Sequence, residues 1–88
     1  MELNLTMLEN CFSEAYSRGY KYVGVKVRIS DLPDYEVIIN PNSNFSAKSE
    51  YYKNAYNENL TRKHSGELVK IVAFTYGNSY EDIEKDLM

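Results

Sequence analysis

The chain has no tryptophan, one histidine, one cysteine, two prolines and four glycines in its 88 residues. A single thiol, Cys11, cannot close an internal disulfide, so burial rather than cross-linking must hold the fold. One Cys and one His fall short of a tetrahedral zinc set, and no metal or cofactor is expected. The glycines, at 19, 24, 66 and 77, are dispersed, and no phosphate-cradling loop can be built from them. No apolar run approaches the roughly 20 residues needed to span a membrane, and no amino-terminal stretch reads as a signal peptide. Together with the lone thiol this points to the cytoplasm, where the sequons at Asn4, Asn44 and Asn59 have no meaning.

Excess positive charge is lacking too. Ten Lys and Arg stand against 13 Asp and Glu, a net charge of −3. Glu81, Asp82, Glu84 and Asp86, with only Lys85 among them, carry the whole deficit, so the first eighty residues are balanced. That excludes a strongly basic nucleic-acid binder.

Catalytic groupings are equally sparse. His64 lies between Lys63 and Ser65 in a polar stretch with no acid to orient it. Cys11 falls on an apolar helical stripe, where a thiol is a small hydrophobe. Asp31, Asp34 and Glu36 gather around a turn, without EF-hand spacing, and Asp is a preferred turn residue. The expectation is a protein that is not an enzyme and has no catalytic residues.

What the chain does have is tyrosine, nine of them, in a composition that is 43% hydrophobic and 26% charged. Residues 1–88 make one α/β domain, of a size that buries roughly 60% of the surface its unfolded form exposes. Leu5, Leu8, Phe12 and Ala15, widened by Cys11 and Tyr16, predict a helix over 6–18, capped by Thr6 with Glu9 and stopped at Gly19. Period-two alternation over 21–30 predicts a strand with Val23, Val25, Val27 and Ile29 on one face and Tyr22, Gly24, Lys26 and Arg28 on the other. The turn at 30–34 returns the chain as a second, antiparallel strand from Tyr35 to Asn40, which Pro41 closes.

A second helix is expected from about Phe45 to Asn59, with Tyr52, Tyr56 and Leu60 on its apolar side, lying shallowly on the sheet. Strand three spans Leu68 to Tyr76, apolar on both faces. Ser79 caps a short last helix whose apolar edge is Tyr80, Ile83 and Leu87. The expected architecture is α+β, in the order α-β-β-α-β-α. Its three-stranded sheet is mixed, with strand three parallel to strand two through a crossover. Two helices pack on one face, and the short carboxy-terminal helix, or a partner, covers the other.

The functional reading rests on apolar surface in excess of what such a sheet hides. Leu68, Val72, Phe74 and Tyr76 are expected on the uncovered face of strand three, with Tyr51 and Tyr52 on the second helix, as an interface for a protein partner or a second copy. Small size and a wealth of Asn, Lys, Tyr and Ile suggest a phage or mobile-element product that binds and modulates a host protein. The alternative is a weak single-stranded nucleic-acid binder using Tyr22, Lys26 and Arg28 on the outward face of strand one.

Overall fold

The computed structural model describes residues 2–87. Helix α1 (Leu5–Ser17) is capped two residues before the expected Thr6: Asn4 is extended and its side-chain oxygen accepts the Met7 N–H at 2.9 Å. This shift brings Leu5 into the buried stripe with Leu8, Cys11, Phe12 and Ala15. Thr6 is left to donate its hydroxyl to Glu58, 3.0 Å away. Tyr16, on the margin of the stripe, is exposed. At the other end Gly19 takes φ +74°, its N–H reaches the Tyr16 carbonyl, and the Tyr20 N–H reaches that of Ala15. This six-to-one closure satisfies carbonyls that the helix end orphans and needs a residue at ease in left-handed geometry.

Strands β1 (Tyr22–Ile29), β2 (Glu36–Pro41) and β3 (Val69–Gly77) form one sheet in the order β2-β1-β3, giving the α+β fold. β1 is central and antiparallel to both neighbours. β2 and β3 therefore do run the same way, as a crossover requires, but they flank β1 instead of pairing, and the sheet is antiparallel throughout rather than mixed.

Helix α2 (Phe45–Ala55), entered through a 3-10 turn at Asn42–Asn44, supplies that crossover. It is shorter than its side-chain spacing suggests. Tyr56 is already extended and Leu60 takes φ 68°, yet both are buried, because the chain turns back under itself to keep them inward. The segment 60–62 then runs along the outer edge of β3. Leu60 accepts the Ile71 N–H at 3.0 Å, and Arg62 donates to Val69 at 2.9 Å.

α1 and α2 share the first sheet face with Val23, Val25, Val27 and Ile71. Tyr52 is 1% exposed; Phe12 stacks on it at 6.0 Å and meets Phe45 edge-on at 5.6 Å. The tyrosine stripe of α2 is thus deep core, not a shallow margin. Asn40 is also buried there: its amide nitrogen donates to the Val23 carbonyl at 3.2 Å, while its Oδ1 has no partner.

Helix α3 (Tyr80–Leu87), capped by the Ser79 hydroxyl accepting from Asp82 N–H, lies on the second face. Ile83 and Leu87 are buried against β1 at Gly24. A Cβ at Gly24 would collide with Ile83 Cγ2 and stand 3.2 Å from Leu87 Cδ1, so the missing side chain is what lets the helix sit down. No helix among the described residues is long and apolar enough to cross a membrane.

Candidate functional site

The residues expected to share an open face of strand three do not share one. Lys26 pairs with Ala73 and Val27 with Ile71, so Val72 stands between as an unpaired bulge. One extra residue reverses the alternation. Val69 and Ile71 before the bulge, and Phe74 and Tyr76 after it, all lie opposite the inward residues of β1 and pack toward the core. Phe74 and Tyr76 are therefore partly buried beneath α1, with the Tyr76 hydroxyl donating to Glu14 at 3.2 Å. Tyr52 is core, Tyr51 is exposed at the far side of α2, and Leu68 is 55% exposed in a 3-10 turn, Gly66–Leu68, that leads into β3. Of the six residues, only Leu68 enters the surface described next.

That surface is the hairpin end of the sheet. The Ser30 N–H donates to the Leu68 carbonyl at 2.9 Å, tying the β1–β2 turn to the turn that opens β3. Leu32 donates its N–H to Ile29 at 3.0 Å, closing the hairpin tightly enough that its own side chain has no interior to enter. Leu32 and Tyr35 border a cleft of about 340 Å³ whose far wall is Glu67, next to Leu68. Leu32 is 56% exposed and Tyr35 is 53%. Three large exposed side chains thus stand on two separate loops that the Ser30–Leu68 backbone bond joins.

The second face adjoining this end is cationic. α3 covers its Gly24 end and leaves the rest open. There Arg28 stands directly opposite Lys70, and the Lys26 ammonium lies 4.3 Å from the centre of the Tyr35 ring. Like charges directly opposed across a sheet are unfavourable, and among the described residues neither these two nor Lys26 has an ion-pair partner. The three residues of the nucleic-acid alternative are split by α3. Tyr22 packs edge-on against Tyr80 at 5.0 Å, on the far side of Gly24 from Lys26 and Arg28. Tyr35 takes the aromatic place beside the cations, and Lys70 adds a charge.

Sequence pattern alone does not single out Leu32, Tyr35 or Lys70. A leucine beside a proline in a polar turn was the available signal for the first, whereas Lys70 needed the register of β3. Burial, followed by the nearby Glu14 charge, pushes the Cys11 thiol from 9.0 up to about 12, which leaves it protonated and unreactive near neutrality. His64 is exposed in its loop with φ 67°. No three His, Cys, Asp or Glu side chains converge as a metal site among the described residues. Comparison with protein-family models, with curated proteins and with solved structures yields no match.

Proposed function

We propose that the chain is a small non-enzymatic protein-interaction module that binds a separate protein through the hairpin end of its second sheet face. The observation that carries this reading is the exposure of Leu32, Tyr35 and Leu68, each more than half exposed, on two loops held together by the Ser30–Leu68 hydrogen bond. Leaving three such side chains in water forgoes burial, and a partner that covers them recovers it. A stable interface takes about 800 Å² from each side. Against a total surface of 5730 Å², a contact centred here would extend onto the neighbouring strip of Lys26, Arg28 and Lys70, which favours a partner with acidic groups around an apolar centre.

That same strip supports a second reading, single-stranded nucleic acid, because unpaired cations beside Tyr35 suit a phosphate backbone with a stacked base. One experiment separates the two. The tagged protein captures its partner from an extract of its source cells, and the complex is then rebuilt from purified components. For a protein partner, Leu32→Ala/Leu68→Ala weakens binding by about tenfold or more, and Tyr16→Ala on the opposite helix changes nothing. Undiminished binding by the double variant discards this surface. A nuclease-sensitive complex whose affinity falls steeply with salt transfers it to nucleic acid.

A further inference from the structure

The two outer edges of the sheet are treated differently, and the difference points to a second copy of the chain. The Asn42 N–H donates to the Lys21 carbonyl at 2.8 Å, continuing the β1–β2 register one pair beyond Tyr22 and Pro41. Hydrogen-bonded pairs alternate along an antiparallel ladder, so Val23–Asn40, Val25–Ile38 and Val27–Glu36 are bonded pairs. The backbone groups of Tyr35, Val37, Ile39 and Pro41 therefore point away from the sheet. On β3 the corresponding outward groups of Val69 and Ile71 are engaged by 60–62. On β2 no turn or loop among the described residues reaches the outward groups.

We infer that β2 pairs with β2 of a second copy about a two-fold axis through Ile38. The pattern is symmetric about that residue. Val37 of one copy meets Ile39 of the other, and the two exchange both of their hydrogen bonds, twice over by symmetry. Tyr35 meets Pro41, whose missing N–H falls at the end of the ladder, where it costs one bond at each of the two ends. Side chains match as well as backbone. Val37 faces Ile39, Tyr35 faces Pro41, Ile38 faces its own copy, and Glu36 faces Asn40, so no like charges oppose each other. Val37, Ile38 and Ile39 are each only half-buried within one chain, and a strand joined alongside would cover more of each.

The edge also lacks the usual deterrents. Over residues 37–40 it has no lysine, proline or bulge that would discourage pairing, and its one proline, Pro41, stands at the strand's end. The product is a six-stranded antiparallel sheet. Its two hairpin ends lie at opposite extremes, with Leu32 and Leu68 of each copy still open. This pairing does not depend on what the hairpin end binds, and either can fail alone.

Sedimentation equilibrium across a concentration series, with amide hydrogen exchange read by NMR at each point, tests the inference. A monomer–dimer equilibrium is expected in which the Val37 and Ile39 amides, fast in the dilute protein, become protected as dimer forms. Val37→Pro removes an outward donor and leaves the β1 ladder intact. It should raise the dimer dissociation constant by about tenfold or more while the circular dichroism stays native. Ile38→Lys, which keeps the donors but sets like charges opposite each other on the two-fold axis, should do the same. A protein that stays monomeric to about 1 mM, an affinity too weak to matter, overturns the inference. So does a dimer whose Val37 and Ile39 amides remain fast, or one that either folded variant leaves intact.

Discussion

The two faces of the sheet are built on opposite terms. On the first, α1 and α2 bury large side chains among the alternating valines of β1, and rings such as Phe12, Phe45 and Tyr52 fill the space between layers. On the second, a single eight-residue helix approaches the backbone of β1 through the gap left by Gly24. One face is held by what the side chains fill, the other by what is missing. The first should therefore suffer from substitutions that remove volume, and the second from substitutions that add it.

The largest effect is expected on the first face. Phe12→Ala empties the space between Phe45 and Tyr52 and should cost about 3–5 kcal/mol, a large part of the stability of a domain this size. In a thermal melt that is a loss of at least about 12 °C. Near-wild-type melting would remove Phe12 from the centre of the core and with it the contrast between faces.

Gly24→Ala comes second. Adding one methyl, normally harmless or helpful in a strand, should here cost about 1–3 kcal/mol by lifting Ile83 and Leu87 away from β1. Limited trypsin digestion would show it as faster cleavage at Lys85, with the first face still folded by near-ultraviolet circular dichroism. Unchanged cleavage would mean that α3 does not depend on the close approach.

The smallest effect sharpens the comparison through pH. Burial raises Cys11 from 9.0 to about 12 and Tyr52 from 10.0 to about 12, and both lie on the first face. Each group binds its proton more tightly folded than unfolded. The stability this gives is complete below pH 9 and declines as pH climbs through 9 toward 12. Melting temperature should therefore be flat from pH 7 to 8.5 and fall above pH 9. Cys11→Ala should delay the onset to about pH 10, where the ordinary phenol titrates. An onset unmoved by that substitution would assign the alkaline sensitivity elsewhere.

Much of this fold could be read before it was seen, and the misses have physical causes. The stripe of α1 and the alternation of β1 were legible because each has a polar side to contrast with its apolar one. β3 lacks that contrast. With Val69, Ile71, Val72, Ala73 and Phe74 apolar in both parities, no pattern reveals that Val72 is unpaired, and alternation alone puts Phe74 and Tyr76 on the wrong side. The end of α2 was hidden for a similar reason: Tyr52, Tyr56 and Leu60 keep helical spacing and are all buried, but the last two reach the core through an extended residue and a left-handed one. Sheet order depends on contacts distant in sequence, and a crossover fixes direction without fixing adjacency. The hairpin-end surface could not be assembled at all, since the loops of Leu32 and Leu68 are joined only by the Ser30 hydrogen bond.

The unpaired Val72 acts as a phase marker along β3. Upstream of it, odd-numbered residues belong to the core and even-numbered ones to the open side; downstream the assignment is inverted. A deletion anywhere in this strand is therefore not equivalent to a deletion anywhere else. Removing Val72 alone would let the remaining residues close ranks in the same pairing, Ala73 moving up beside Ile71 with every other side chain still on its own face. Removing Ala73 instead leaves Val72 to take its place opposite Lys26, with a larger side chain turned toward the open face and the bulge gone. Removing Phe74 or Ile71 would drag a neighbour across the sheet. The strand thus tolerates the loss of one residue at Val72 or Ala73 and resists it at Ile71 and Phe74, which makes the bulge the natural place for this chain to lose a residue.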